Sequence, residues 1–220
     1  MDKGQFNSSL YFITDSTGYT EEEFLRRVEQ ALQGGATLLQ LREKDRTTRE
    51  YIALAEKVHT VSRRYRVPLI IDDRVDVALA SGAEGVHVGQ TDMPVAMARK
   101  LMGNDKIVGA TTKTVPQALE AWEQGADYLG VGAIYPTTTK VVTILTSTDT
   151  LREICQAVPI PVNAIGGLNK NNIDVLQGIP VAGICVVSAI MKADDPSRAA
   201  AELKARAEEL GIGQFVSGTV

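Results

Sequence analysis

Short apolar runs alternate with amphipathic stretches along the chain. Eight runs of four to seven residues are rich in β-branched side chains and predict buried strands. These runs lie at residues 10–14, 37–41, 68–71, 85–89, 106–110, 128–134, 161–165 and 183–187. Hydrophobic residues between the runs recur at helical spacing, so each predicted strand is followed by a predicted helix.

Several of the predicted helices carry recognisable start and stop signals. Thr20 with Glu23, and Thr47 with Glu50, have the spacing of a capping box, in which the two side chains bind free backbone N–H groups. Gly82 stands just before a strand, where glycine readily takes the left-handed conformation that ends a helix. These signals support the helix positions predicted from the hydrophobic spacing.

Strict alternation of strand and helix predicts an α/β protein with a parallel sheet covered by helices. Eight such units in 220 residues predict a single TIM (β/α)8 barrel over residues 1–220, with loosely held ends at 1–9 and 211–220. A doubly wound open sheet is the structural alternative. Its GxGxxG fingerprint does not follow the first strand, where the sequence after Ile13 is TDSTGY.

Composition narrows the class of protein. The 23 Lys and Arg against 27 Asp and Glu leave a net charge of −4, which argues against nucleic acid or an anionic membrane as the main partner. The start of the sequence lacks a signal-peptide pattern, and no apolar run approaches the ~18 residues of a membrane span. We therefore expect a cytoplasmic protein that acts on small molecules, and the sequence leaves a homo-oligomer open.

The second predicted strand ends in two cations. Side chains alternate faces along a strand, so Gln40, Arg42 and Lys44 share one side, opposite Leu41 and Glu43. With the apolar side packed on helices, the amide and both cations face the barrel mouth, where a phosphate or diphosphate would relieve their repulsion. An Arg–Glu ion pair with a solvated lysine is the alternative.

Carboxylates follow the third and fourth strands. Asp72 and Asp73 end the third strand, and Asp92 lies in the loop after the fourth. Two carboxylates from neighbouring strand ends can hold Mg²⁺, which completes its octahedron with water and substrate phosphate. Alternatively, Asp92 caps the next helix, and Asp72 or Asp73 pairs with Arg74.

Other strand ends suggest anion binding. Gly167 and Ser188 follow the seventh and eighth strands, where barrel enzymes often bind a phosphate, although a tight turn alone would also need the glycine. Three threonines and a lysine at 137–140 suit a second anion or a mobile loop, or form a plain polar loop. We expect His87 to be a hydrogen-bonded core residue and His59 to lie on the surface.

Taken together, these segments resemble thiamin phosphate synthase over nearly the whole chain. The resemblance is carried by FITD (12–15), QLREK (40–44), DDR (72–74), GVHVGQTD (85–92), GADYLGVGAIYPTTTK (125–140), IGG (165–167) and VVSAI (186–190). It implies a TIM-barrel transferase of thiamin biosynthesis that joins a pyrimidine diphosphate to a thiazole phosphate, releases diphosphate and uses Mg²⁺.

The resemblance also implies roles for individual residues. It places pyrimidine diphosphate contacts at Gln40, Leu41, Arg42, Glu43, Lys44, Asp72, Thr111 and Lys140. Among these, Arg42, Lys44 and Lys140 would be catalytic. It places thiazole phosphate contacts at Thr137, Thr138, Thr139, Gly167, Val187 and Ser188, and Mg²⁺ ligands at Asp73 and Asp92.

The sequence departs from the family pattern at the mouth of the barrel. Asp72 stands where the family often has Asn, and Thr111 and Lys113 stand where Ser and His are common. Two other functions stay open: a thiazole phosphate tautomerase, which needs a general base such as His87, and a non-catalytic barrel that binds thiamin precursors.

Overall fold

A computed structural model describes residues 6–136 and 145–213. Its centre is a closed barrel of eight parallel strands in the order of the sequence, sealed where Leu10 pairs with Ile184. The strands are β1 (Leu10–Ile13), β2 (Leu38–Leu41), β3 (Leu69–Asp72), β4 (Gly85–Val88), β5 (Ile107–Thr112), β6 (Tyr128–Gly132), β7 (Val162–Ile165) and β8 (Gly183–Val186). The predicted barrel is confirmed, and the open-sheet alternative is excluded.

Helices surround this barrel. They are α1 (Glu21–Gln33), α2 (Thr48–Arg64), α3 (Val75–Ser81), α4 (Val95–Met102), α5 (Val115–Glu123), α6 (Thr148–Ala157), α7 (Ser188–Met191) and α8 (Pro196–Glu209). A short 3-10 helix, Ile173–Leu176, takes the place of an α-helix after β7. None of the helices in the described ranges is long and apolar enough to cross a bilayer.

The two predicted capping boxes differ in the structure. At the start of α2, Thr47 accepts from the backbone of Glu50 and the Glu50 carboxylate accepts from the backbone of Thr47, as predicted. At the start of α1, Thr20 accepts from the backbone of Glu23, but the Glu23 carboxylate binds Arg27 instead. The Thr20–Glu23 box is therefore only half formed, because the guanidinium of Arg27, one turn along the helix, competes for the Glu23 carboxylate.

Alternation along the strands separates two apolar layers. Leu39 and Leu41 belong to the core between barrel and helices, whereas Leu38 belongs to a smaller core inside the barrel. The inner core consists of Tyr11, Ile13, Leu38, Ile70, Ile107, Tyr128 and Cys185. The predicted orientation of β2 is therefore correct, and Gln40 points into the barrel, where its amide meets Tyr11.

The described parts of the chain ends pack against the barrel, although we expected loosely held ends. The Phe6 ring lies edge-on to Tyr128 at 5.5 Å, and Ser8 donates a hydrogen bond of 2.8 Å to Asn163 inside the barrel. Ile212 is buried. Phe6 and Ile212, one near each end of the described chain, thus pack against the rest of the protein.

His59 is also buried, and its predicted surface position is wrong. Its Nε2 lies 3.0 Å from Oε1 of Glu84, while the other carboxylate oxygen of Glu84 accepts from the backbone of Leu69. The contact joins α2 to the segment before β4. Glu84 lies 25 positions further along the chain, too distant for helical spacing to reveal the pairing.

We expect Leu38→Ala to destabilise the protein by about 2–5 kcal/mol, because it leaves a cavity inside the barrel where Leu38 is fully buried. The matched control is Leu101→Ala, since Leu101 is 50% exposed, and its change should stay within about 0.5 kcal/mol. Denaturant unfolding measures both variants. Equal losses would contradict the two-layer packing.

Candidate active site

A pocket of about 170 Å³ opens at the carboxyl ends of the barrel strands. Seven of the predicted contact residues line it: Gln40, Arg42, Asp72, Thr111, Gly167, Val187 and Ser188. These residues come from five different strands or the loops that follow them, and they meet because the strands are parallel and the barrel is closed. The same pocket is lined by Tyr11, His87 and Lys113.

Cations from β2 meet carboxylates from β3 at this rim. Oδ2 of Asp72 lies 3.7 Å from Nε of Arg42 and 2.9 Å from Nζ of Lys44. Lys44 also forms an ion pair with Asp73. Glu43 pairs with Arg46 at 2.9 Å, so the alternative of an ion pair between Arg42 and Glu43 is not what forms. The cations of β2 are thus compensated by carboxylates of the next strand.

The pKa values at this rim reflect burial and crowding. Burial, and after it the nearby Asp73 carboxylate, together raise the pKa of Asp72 to about 6, against the opposing effect of Lys44 and Arg42. Burial lowers the pKa of Lys44, but the attraction of Asp72 and Asp73 outweighs burial, so the pKa lies above its usual value. Lys44 is therefore a permanent cation at neutral pH.

Asp73 and Asp92 form a pair of neighbouring carboxylates beside the pocket. Asp73 has φ of 61°, an uncommon left-handed conformation for a residue other than glycine, and its N–H donates to the carbonyl of His87. The Asp92 carboxylate accepts from the N–H of Gly89 at 2.8 Å. Burial raises the pKa of Asp92, and the Asp73 carboxylate adds to this effect.

The competing structural roles for these carboxylates do not occur. Helix α4 is preceded by Pro94 at its cap position, so Asp92 does not cap it. Arg74 binds Asp76, with 2.8 Å between Nε and Oδ1, rather than Asp72 or Asp73. The carboxylates of Asp73 and Asp92 therefore face a shared groove, which Arg74 and Met93 also line.

This donor set fits a hard divalent cation with few protein ligands. Two carboxylates close enough to perturb each other gain from a shared cation, and Mg²⁺ commonly takes one or two carboxylates with water and substrate phosphate. Within residues 6–136 and 145–213, no cluster of three or more His, Cys, Asp or Glu side chains forms a metal site made of protein ligands alone.

The loop after β7 approaches the loop after β6 closely at two glycines. Gly166 and Gly167 have φ of 105° and 66°. A Cβ on Gly166 would lie 2.4 Å from Cβ of Ala133, and one on Gly167 would lie 2.7 Å from Cβ of Tyr135. The tight turn by itself requires glycine, and the same turn exposes backbone at the pocket wall.

Three of the described contact residues do not line the pocket. Lys44 pairs with Asp72 and Asp73 beside it, and the side chains of Leu41 and Glu43 turn away. The Leu41 side chain is buried among the helices, and its carbonyl accepts from the Tyr51 hydroxyl at 2.7 Å. The Glu43 carboxylate accepts from Ser16 and Arg46. The alternation of side chains along β2 turns both away, so any role in binding would be to hold the strand end in place. Thr137, Thr138, Thr139 and Lys140 lie outside the described residues.

The pocket also contains residues that the sequence did not single out as functional. Lys113 lines the wall two positions after Thr111, on the same side of the strand end. Tyr11 lies two positions before Ile13 on β1, and both line the pocket. The alternation of side chains along a strand, which predicts the facing side of β2, also identifies these residues on β1 and at the end of β5.

Comparisons with known proteins agree with this geometry. Residues 10–190 match the family model of thiamine monophosphate synthase. Thiamine-phosphate synthase 2 of Streptococcus pneumoniae is 52% identical over 186 residues, which are 84% of this chain and 89% of that protein. This chain belongs to the thiamine monophosphate synthase family. The thiamine-phosphate synthase of Enterococcus faecalis is 53% identical over 185 residues, covering 84% and 87% of the two chains.

A solved structure supports the same assignment. The thiamine phosphate pyrophosphorylase of Pyrococcus furiosus has a TM-score of 0.84 to this chain at 40% identity, and the match covers 95% of this chain and 98% of that one. The barrel is therefore that of the thiamine monophosphate synthase family. Family membership does not by itself decide the role of each residue, which rests on the contacts described above.

We expect Asp72→Asn to bind inorganic diphosphate about tenfold more tightly at pH 8, because it removes a negative charge that lies between Arg42 and Lys44. Isothermal titration calorimetry measures the affinity. Asp174→Asn, which alters an exposed ion pair with Arg206, is the control and should leave the affinity unchanged. Unchanged or weaker binding by Asp72→Asn would show that Asp72 does not compete with the anion.

Proposed function

We propose that this protein is a cytoplasmic, single-domain, Mg²⁺-dependent thiamine-phosphate synthase. It is a transferase that joins 4-amino-2-methyl-5-(diphosphooxymethyl)pyrimidine to 4-methyl-5-(2-phosphooxyethyl)thiazole, giving thiamin phosphate and diphosphate. The observation that carries the proposal is the meeting of Arg42 and Lys44 with Asp72 and Asp73 at the mouth of the barrel. Family membership supports the same reaction.

The reaction needs charge stabilisation more than a side-chain nucleophile. The C–O bond between the pyrimidine methylene and the diphosphate breaks, and both electrons leave with the diphosphate. The electron-rich aminopyrimidine ring spreads the positive charge on the methylene carbon. The thiazole nitrogen then donates its electron pair to that carbon, and the new C–N bond completes thiamin phosphate.

Arg42 and Lys44 would stabilise the leaving group. Both cations lie at the rim, and the nearby carboxylates hold them in position. As negative charge develops on the diphosphate, fixed cations lower its energy without reorganising. Lys140, implied by the family resemblance, would be a third cation of this kind.

Asp73 and Asp92 would hold Mg²⁺, since their neighbouring carboxylates suit a hard cation. When bound, the ion supplies positive charge to the diphosphate oxygens. Lys44 contacts Asp73 and so lies between the metal ligands and the pocket. Diphosphate at this rim would therefore meet protein cations on one side and the carboxylate pair on the other.

The thiazole phosphate is assigned to the loops after β7 and β8. Gly167, Val187 and Ser188 line the pocket there, and the backbone at Gly167 is open to close approach. Binding at this wall would hold the thiazole nitrogen facing the pyrimidine methylene, which shortens the path to attack. Thr137, Thr138 and Thr139 are further contacts implied by the resemblance.

The direct experiment mixes the purified protein, Mg²⁺ and both substrates. Mass spectrometry should detect thiamin phosphate, and a coupled assay should detect one diphosphate per product. Isomerised thiazole phosphate without diphosphate would indicate a tautomerase. Thermal stabilisation by the ligands without any product would indicate a binding protein. Either of these results would overturn the proposed function.

We expect Arg42→Ala to lower kcat by about 10²–10³, because it removes one fixed charge from the developing diphosphate. The control is Arg198→Ala, which lies on α8 and pairs with Glu202 at the surface. Single-turnover rates at saturating substrate measure both variants. A rate within tenfold of wild type for Arg42→Ala would remove Arg42 from the catalytic machinery.

We expect Asp92→Asn to raise the Mg²⁺ concentration for half-maximal activity by at least roughly tenfold, because one of two proposed carboxylate ligands loses its charge. Asp149→Asn, on the exposed start of α6, is the matched control. Activity is measured across a Mg²⁺ titration. Identical titration curves for wild type and Asp92→Asn would exclude Asp92 as a ligand.

A further inference from the structure

Five side chains form a continuous hydrogen-bonded network beneath the pocket. Nε2 of Gln40 donates to the Tyr11 hydroxyl at 2.7 Å, and the hydroxyls of Tyr11 and Tyr128 are 2.7 Å apart. The Tyr128 hydroxyl lies 3.0 Å from Nδ1 of His87, and Nε2 of His87 lies 2.8 Å from Oγ1 of Thr111. This five-residue network begins and ends at residues that line the pocket.

The fold holds the central tyrosine of the network rigidly. Tyr128 is fully buried, and a Cβ on Gly109 of the neighbouring strand would lie 2.1 Å from its ring, so glycine at that position makes the space. The rings of Phe6, Tyr11 and His87 pack around it with centroids 5.5–5.7 Å away. The Tyr128 hydroxyl therefore has little freedom to leave its partners.

Both tyrosines stay neutral. Burial raises the pKa of Tyr11 well above its usual value, and burial does the same for Tyr128. A neutral phenol can donate one hydrogen bond and accept others. Each hydroxyl can therefore accept a hydrogen bond from one neighbour and donate its own hydrogen to the next.

The direction of the network follows from Gln40. An amide nitrogen only donates, so Nε2 makes the Tyr11 hydroxyl an acceptor, and Tyr11 has its own hydrogen for Tyr128. If Tyr128 passes this direction on, it donates to Nδ1 of His87, and a neutral ring then carries its hydrogen on Nε2. From Nε2 that hydrogen would be donated to Thr111. In this arrangement every bond runs from Gln40 towards Thr111.

This direction fixes what Gln40 offers to a ligand. One of the two hydrogens on Nε2 is committed to Tyr11, and this bond fixes which way round the amide lies, with its oxygen, an acceptor, available to the pocket. In the opposite direction the amide would be turned over and would present its nitrogen, a donor. A 4-aminopyrimidine carries N–H hydrogens at position 4 and fits the acceptor, whereas a 4-oxopyrimidine would place two acceptors face to face.

We propose that the five-residue network selects an aminopyrimidine over its 4-oxo analogue by holding the amide oxygen of Gln40 towards the pocket. Tyr11, Tyr128 and His87 are then positioning residues, since they act through Gln40. The proposal rests on the proposed function for its pyrimidine substrate. The direction of the network, however, is a property of the free protein and can be tested without any ligand.

The first experiment determines the tautomer of His87 in the free protein at pH 8. The chain has two histidines, so ¹⁵N NMR signals can be assigned with a His59→Gln variant. We expect hydrogen on Nε2 of His87 in wild type, and loss of this preference in Tyr128→Phe, which lacks the donor to Nδ1. Hydrogen on Nδ1 in wild type, or an unchanged His87 in Tyr128→Phe, would overturn the proposal.

The second experiment measures the affinities of two pyrimidine monophosphates that differ only in a 4-amino or 4-oxo group. We expect the preference of wild type for the amino ligand to fall about tenfold in Tyr128→Phe and also in Tyr11→Phe. Tyr65→Phe is the control, because its hydroxyl binds Glu29 and Gln33 outside the barrel, and its preference should match wild type.

The outcomes separate this proposal from the proposed function. Circular dichroism and thermal melting verify that Tyr128→Phe and Tyr11→Phe are folded. If both folded variants keep the wild-type preference, selection by the network is overturned. Equal weakening of both ligands would do the same, because it would show a role in pocket shape only. If wild type binds neither pyrimidine, the proposed function fails together with the selection, while the tautomer result still decides the direction of the network.

Discussion

The site depends on compensation of charge between neighbouring strands. Arg42 and Lys44 leave the end of β2 together, and two like charges at one rim would separate without a counterion. Asp72, from β3, lies within ion-pair distance of both cations, and Asp73 contacts Lys44 as well. Asp72 is buried, and this strengthens its contacts with the two cations relative to ion pairs exposed on both sides. The result is a pair of cations that protein carboxylates hold together at the rim of the pocket.

The closed parallel barrel is what makes this compensation possible. Parallel strands bring all their carboxyl ends to one face, so residues about thirty positions apart in sequence, such as Arg42 and Asp72, become neighbours. Alternation then decides which of them face the pocket. Leu41 and Glu43 support the strand end through Tyr51 and Arg46, and the alternating residues Gln40 and Arg42 line the pocket.

The sequence was sufficient to predict the barrel and part of the pocket lining, because both follow from local patterns. Strand and helix periods are read within a few residues, and a strand end reveals its facing side by alternation. The sequence was not sufficient where the partner of a side chain decides its position. His59 is buried because its ring contacts the Glu84 carboxylate. The Glu23 carboxylate binds Arg27 and does not complete the capping box. The network through Tyr128 escaped prediction because a hydroxyl's partners are set by packing across the barrel.

Glycines on β5 and β6 leave room for the polar side chains beneath the pocket. Gly109 makes room for the ring of Tyr128, and a Cβ on Gly130 would lie 3.3 Å from the His87 ring. Larger residues at these two positions would push the rings aside and leave buried hydroxyl and imidazole groups without partners, a cost of about 1–3 kcal/mol each. The absence of two side chains on one wall of the barrel is therefore what allows polar groups from five strands to satisfy one another beneath the pocket.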